Sequence, residues 1–317
     1  MDDTWMLPVA FLISAIAVGL YTSRSPYYNY YENRNILSKG KNTPTVWIYY
    51  DDSDVNSRSW LDFMGRSSRA LNLPFLNLCY ETIFKACGQD YHIEAIYGLG
   101  DAAQRLGGWD ALPAPMRNKR LPLRSEEMMY LRVAFMEKYG GLWVSPSSLF
   151  LKDIGKLPED KVAFFGTDPN ETYSGPKGTF IPNIETIWSP KSGHDIFTSW
   201  RTVLYSRIEA SGGGMEVRRD QDWDMNIIYK NFPGQYVLLP YYELSRKHDG
   251  KLIYAEDILA VGTEGNLPFP LHQDTVFVRV PYKDLLERRP YGWFLRLSEE
   301  QILESDLVFT HLLKFRY

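Results

Sequence analysis

Residues 130–148 read YLRVAFMEKYGGLWVSPSS, and this stretch decides how the chain is assembled. The run Ser125–Tyr139 is predicted as a helix. Gly140 and Gly141 end it and let the chain turn tightly into a strand. That strand is expected over Leu142–Leu151, interrupted at Pro146. Working outward, Thr45–Tyr50 (TVWIYY) is β-branched and aromatic, hence a buried strand that Asp51, Asp52, Ser53 and Asp54 terminate. Leu73–Cys87 carries Phe75, Cys79, Ile83 and Cys87 at i, i+4 spacing, a helix with one core face that Gly88 stops. Tyr91–Tyr97, Val162–Phe165 and Ile184–Trp188 are further strands. His194–Glu209 and Gln221–Asn231 are helices, the first running into Ser211-Gly212-Gly213-Gly214. Ser298-Glu299-Glu300-Gln301 is a capping box that opens a late helix, and Leu307–Thr310 is expected as a final strand. This alternation implies an α/β fold with a mostly parallel sheet and helices on both faces.

The 317 residues carry 35 Lys+Arg against 39 Asp+Glu, a net charge of −4, which gives no electrostatic support to nucleic-acid binding. Apolar residues at 44% and charged residues at 23% exclude extended disorder. Aromatics reach 15%, with 22 Tyr and 9 Trp, a surplus suited to a sugar-binding surface or a large packed interface. Cys79 and Cys87 are the two cysteines, so no disulfide framework and no cysteine-based zinc site is available. On one helix they stand roughly 12 Å apart, too far to bridge.

Trp5–Tyr21 (WMLPVAFLISAIAVGLY) holds no charge and is bounded by aromatics, the pattern of one transmembrane helix. The expected organisation is therefore an anchor over 1–22, a stem over 23–44 and one domain over 45–317. A cleaved signal peptide fits less well, because Met1, Asp2, Asp3 and Thr4 contain no basic side chain. Arg24, Arg34, Lys39 and Lys41 follow the segment, which places the large domain on the cytosolic or matrix side. The sequon Asn170-Glu171-Thr172 leans toward a secretory lumen instead. The compartment expected is the mitochondrial inner membrane or the Golgi membrane.

The stretch quoted above resembles the DXD-containing sugar-nucleotide glycosyltransferases of the capsular-polysaccharide-synthesis and initiating-mannosyltransferase type. Their hallmark runs S-D-x-x-R, a helix, then Y-G-G-[IV]-[YW]-x-D-x-D. The likeness extends to the opening PTVWIYYDD, to the segment from Trp188 to the Trp200-bearing helix, and to Gln221-Asp222-Trp223-Asp224, covering about residues 45–235. It implies a GT-A fold, Rossmann-like, with the donor site at the carboxyl ends of the parallel strands. Arg132 keeps the spacing of a donor-holding arginine, and Gly140, Gly141 and Trp143 remain as a donor-binding remnant. Three acidic positions are lost. Met129 stands where an aspartate touches the donor sugar, and Ser145 and Ser147 stand at the DXD aspartates that hold Mn²⁺ or Mg²⁺. Hydroxyls cannot replace carboxylates as ligands for a hard cation beside a diphosphate leaving group.

The resemblance thus implies a degenerate domain without cofactor or metal, whose partners are the membrane and protein subunits of a larger membrane complex. A plain structural role also fits the remnant: the glycines shape a turn, and Arg132 pairs with Glu126, Glu127 or Glu137. The alternative is an active single-pass Golgi or viral enzyme that moves a hexose from a nucleotide sugar without metal. Its cations would be Lys152, Arg132 or Arg218-Arg219, and the acids to act as base, or to hold Mn²⁺ or Mg²⁺ if an active enzyme uses a metal after all, would be Asp51 or Asp222, with Asp52 and Asp224 beside them. The five histidines, His92, His194, His248, His272 and His311, show no metal-ligand spacing; His311 follows the expected last strand and is read as a surface or satisfied core histidine, with reach into a cleft as the alternative.

Overall fold

β1 (Thr45–Tyr50) is the strand around which the sheet is built. Val46, Ile48 and Tyr50 enter one core, Trp47 and Tyr49 another, so the alternation of a strand sends its side chains to opposite faces. Burial on both faces explains why the strand is apolar throughout. It pairs in parallel with β2 (His92–Tyr97) and with β3 (Gly141–Val144). Beyond β3 lie β6 (Asn183–Ser189), β5 (Val162–Phe165) and β7 (Tyr236–Leu239), in the order β2-β1-β3-β6-β5-β7. β6 is antiparallel to both neighbours, while β5 and β7 are parallel. Strands β1, β2, β3, β5 and β7 therefore run one way and β6 the other: an α/β fold with a mixed sheet.

The computed structural model describes residues 43–51, 73–88, 90–117, 123–166, 181–211, 221–244, 253–262, 267, 269 and 271–314. The Trp5–Tyr21 segment, the stem up to residue 42, the Asn170 sequon, Asp52 and Arg218-Arg219 lie outside them. Among the described residues no helix is long and apolar enough to cross a membrane. Lys41–Tyr317 forms one compact unit.

Helix α1 (Pro74–Cys87) covers one face, and its i, i+4 stripe of Phe75, Cys79, Ile83 and Cys87 is buried there. Both cysteines are free. The other face is covered by α2 (Gly98–Leu106), α4 (Ser125–Tyr139), α5 (Asp195–Ala210) and α6 (Gln221–Asn231), with the single turn α3 (Ala114–Arg117) between α2 and α4. Leu131, Phe135, Trp200, Leu204 and Met225 fill that core.

The C-terminal third joins the α1 face. A second, three-stranded sheet has the order β4-β9-β8, made from β4 (Ser148–Phe150), β9 (Phe277–Arg279) and β8 (Glu243–Leu244). Helices α7 (Ala255–Ile258), α8 (Tyr282–Glu287), α9 (Glu299–Glu304) and α10 (Val308–Lys314) pack around it.

Two expectations are corrected. The strand expected over Leu142–Leu151 is two strands in two sheets, because the turn at Pro146 and Ser147 redirects the chain from β3 into β4. The strand expected at Leu307–Thr310 is the start of helix α10. Extension survives only as a single bridge from Leu307 to Val261. Val308, Phe309 and Leu312 then reach the core at helical spacing, and Thr310 Oγ1 donates to the Ile302 carbonyl at 2.6 Å. The capping box of α9 forms as expected, with Ser298 Oγ accepting from the Gln301 N–H at 3.2 Å and Gln301 Oε1 accepting from the Ser298 N–H at 2.9 Å.

Candidate functional site: the serine turn and its charge cluster

Helix α4 starts where the Glu127 carboxylate accepts the Arg124 backbone N–H at 2.7 Å. It ends at Gly140, whose φ of 68° is open to glycine. A Cβ at Gly141 would lie 2.2 Å from the Thr45 carbonyl, so the chain passes β1 there with no room for a side chain. The Gly140 carbonyl accepts Trp47 Nε1–H at 2.9 Å, and Trp143 is buried against Phe135 and Tyr49. Gly140, Gly141 and Trp143 therefore seat the amino end of β3. The carboxyl end is roughly 10 Å further along, so the glycines do not meet Ser145. Met129 packs against the α4-side core, which accounts for an apolar side chain at that position.

At the carboxyl end of β3 the two serines close on themselves. Ser145 Oγ and Ser147 Oγ are 3.2 Å apart, and Ser147 Oγ donates to the Val280 carbonyl at 2.9 Å. The Val280 N–H returns a bond to the Ser147 carbonyl at 3.0 Å. Ser147 is 1% exposed and Ser145 9%. The turn thus clamps the large sheet to the small one.

A charge cluster lies beside this turn. Ser148 pairs in register with Arg279. Arg279 Nη1 is 2.6 Å from Glu185 Oε2, and its Nε is 3.4 Å from Glu243 Oε1. Asn183 Nδ2 donates to the same Glu243 oxygen at 2.6 Å. The β5–β6 pairing shifts register between Phe164 and Phe165, which brings Asn183 opposite Phe165. Such an irregularity re-aims side chains at the end of a sheet. Gly166 has φ 63°, and a Cβ there would stand 2.9 Å from Glu243 Oε2, so the missing side chain makes room for the carboxylate. Burial pushes the Glu243 pKa up to about 7; Glu185 adds to the rise, while Arg279 and the Asn183 bond oppose it. Desolvation outweighs the ion pair because Glu243 is 2% exposed.

Arg132 reaches this end of the sheet from α4. It donates through Nη1 to the Ile184 carbonyl at 2.5 Å, and its Nε is buried without a partner. The expected pairing with Glu126, Glu127 or Glu137 does not form, because those acids serve Arg207, Arg124 and Arg201 respectively. Burial lowers the Arg132 pKa to about 10; Glu185 opposes this and the like charge of Arg279 adds to it. Two guanidinium groups and two carboxylates thus face one another next to the serines. Gly166, Asn183, Ser145 and Asp51 all sit at the carboxyl ends of the parallel strands, where α/β sheets bind ligands.

The remaining candidates are placed as follows. Asp51 is half-buried directly after β1. Asp222 lies on α6, its side chain outside the description, while Asp224 is 4% exposed and accepts from Trp200 Nε1 at 3.1 Å and from Arg207. Asp224 is thereby a core ion-pair partner. Lys152 Nζ donates to the Gln273 carbonyl at 2.5 Å. His311 is corrected: it sits in the middle of α10, and a Cβ on Gly262 would stand 2.6 Å from its Cδ2. Among the described residues, no group of three or more His, Cys, Asp or Glu is placed to hold a metal ion. A cavity of about 360 Å³ lies elsewhere, between α4 and α5, lined by Tyr130, Glu137, Lys138 and Arg201. Its charges are already engaged, Arg201 on Glu137 and Lys138 on the Arg105 carbonyl.

Sequence reasoning missed Glu185, Glu243 and Arg279. The available signal was Arg279 inside the apolar run Thr275–Val280, a charge facing inward from a strand. Compared with known proteins, the chain matches no family model and no curated protein.

Proposed function

We propose that this is a glycosyltransferase-like protein of the GT-A kind, anchored to a membrane by Trp5–Tyr21, that has lost metal-dependent sugar transfer. It serves as an accessory or structural subunit of a larger membrane complex. The charges that follow the anchor favour the mitochondrial inner membrane, and the Asn170 sequon the Golgi. One observation carries the proposal. Where the resemblance puts two metal-binding carboxylates, the Ser145 and Ser147 hydroxyls bond each other and Ser147 also bonds the Val280 carbonyl, beside the ion pairs of Arg279 with Glu185 and Glu243. A domain can keep a fold after its site has changed.

A second reading is supported by Arg132. A buried guanidinium with an unpaired Nε–H is costly unless an acceptor arrives, which suits a metal-free nucleotide-sugar site. Calorimetric titration of the full chain in detergent with UDP and with GDP, each with and without Mn²⁺, separates the readings. The proposal expects no binding in any arm. Binding that needs Mn²⁺ overturns it. Binding without metal, lost in Arg132→Met, establishes the second reading. Glycan on Asn170 would place the domain in the secretory lumen and exclude the mitochondrial matrix.

A further inference from the structure

We infer that the cavity between α4 and α5 is a binding site for a small organic anion, a carboxylate carried on a flat apolar body. Its wall at Ser192 and Gly193 packs on Gly140, at the end of β3 opposite the serine turn. Three segments meet α4 around it, and each is bonded to that helix. The Arg105 carbonyl accepts from Lys138 Nζ at 2.7 Å and from the Tyr139 hydroxyl. The Ala111 carbonyl accepts from the Tyr130 hydroxyl at 2.9 Å. The Gly193 N–H donates to the Glu137 carbonyl at 2.6 Å, and a Cβ on Gly140 would stand 2.8 Å from the Lys191 carbonyl carbon. The walls are therefore pinned without a ligand, and they enclose about 360 Å³. Pre-formed pockets of that size take small molecules.

The lining divides by chemistry. Leu106, Ala111, Tyr130 and Ala134 make an apolar surface, and Glu137, Lys138, Ser192 and Arg201 a polar one. Arg201 is held at two points: Nη1 pairs with Glu137, and Nε donates to the Tyr130 hydroxyl at 3.4 Å. A guanidinium carries five N–H groups, and the two on Nη2 bond nothing among the described residues. Lys138 uses one of its three donors on the Arg105 carbonyl and lies 5.3 Å from the Tyr139 ring. The Ser192 hydroxyl is exposed and bonds nothing among the described residues. Glu137 is the one acid in the lining and Arg201 neutralises it, so Lys138 leaves a single net positive charge. The second Glu137 oxygen repels an anion laid against it, which puts the carboxylate on the side of Arg201 Nη2 and Lys138 Nζ. Spare donors and one positive charge beside an apolar surface suit a monoanion with an apolar body. A cationic ligand would meet Arg201 and Lys138, and a dianion would bring a charge that nothing in the lining balances. The inference stands apart from the proposed function, because it uses neither the serine turn nor the charge cluster.

Calorimetric titration of the full chain in neutral detergent tests it, with 2-naphthoate as the probe and 2-naphthamide as its uncharged counterpart. Wild type is expected to take up one 2-naphthoate per chain and to bind the amide about tenfold more weakly. Arg201→Gln keeps an N–H for Glu137 without the charge, and should weaken 2-naphthoate about tenfold while leaving the amide unchanged. Lys138→Gln, at an exposed position, should weaken 2-naphthoate about threefold. Ser192→Trp, an exposed change that leaves the core alone, should block both probes. If Arg201→Gln does not fold, Lys138→Gln and Ser192→Trp carry the test. No saturable uptake of 2-naphthoate by wild type overturns the inference, as does equal affinity for the two probes. Uptake that Ser192→Trp leaves unchanged also overturns it, because the probe then sits in the detergent or on another surface.

Discussion

The two ends of β3 are held in different ways. At its amino end Gly140, Gly141 and Trp143 each meet a steric demand. At its carboxyl end Ser145 and Ser147 are held by hydrogen bonds, between their hydroxyls and from Ser147 to the Val280 carbonyl. Four residues thus separate a part fixed by packing from a part fixed by chemistry. Backbone clearance is demanded of any chain with this fold. Ligand chemistry is demanded only while a ligand is bound, and when it lapses the polar groups must find partners inside the protein.

The contrast predicts that damage is greatest at the amino end. Gly141→Ala would drive a Cβ against the Thr45 carbonyl from a φ of 91°. Backbone strain and overpacking together should cost about 4 kcal/mol, read by chemical denaturation. A loss below about 1 kcal/mol would show that the glycine pair is not a steric requirement, and the comparison would break.

At the other end Glu243 gives a pH signature. Its pKa is about 7 in the fold against 4.5 for the free group, so the folded state holds the proton more tightly. That contribution is complete below pH 4.5, falls as pH rises toward 7, and is absent above it. The charges and dipoles facing the carboxyl are Arg279 from β9 and Glu185 and Asn183 from β6. Glu243→Gln should therefore gain on wild type between pH 4.5 and 7, by up to about 3 kcal/mol, and then hold a constant lead. A difference that does not change with pH would mean that the carboxyl is not desolvated.

Arg132→Met sharpens the contrast between the two guanidinium groups. Arg132 makes one hydrogen bond, to Ile184, and leaves Nε unpaired. An apolar replacement of similar length should change stability by about 1 kcal/mol or less. Loss of Arg279 removes the guanidinium that Glu185 and the buried Glu243 both meet and should cost about 3 kcal/mol. Equal losses at 132 and 279, measured by urea unfolding, would make both structural ions.

How much of this was legible depended on range along the chain. β1, α1, α4 and the turn into β3 follow from patterns within fifteen residues, and those elements appear within a residue or two of their expected bounds. The antiparallel insertion of β6 was not legible, because the direction of a strand depends on where the chain returns. Nor was α10: the short apolar run Leu307–Thr310 is β-branched enough to pass for a strand, and only packing against α9 settles it as helix. The charge cluster was least legible. Glu185, Glu243 and Arg279 are far apart in sequence, and only Arg279, inside an apolar run, carries a local sign of burial. Arg132 was visible through its spacing, but its partner, the Ile184 carbonyl, carries no side-chain signal.

The smallest expected effect is the most direct test of what the serines now do. If they are only a clamp between sheets, their value lies in hydrogen bonds. Ser147→Ala removes the donor to the Val280 carbonyl and should cost about 1 kcal/mol. Ser145→Ala removes only the bond between the two hydroxyls, at 3.2 Å, and should cost about 0.5 kcal/mol. The pair touch, so the double variant should cost less than the sum of the two. Nucleotide titration should not respond to either change. A Ser145→Ala variant that keeps its stability but gains or loses affinity for UDP or GDP would show that the hydroxyl faces a ligand, and the carboxyl end of β3 would then still be a site rather than a seam.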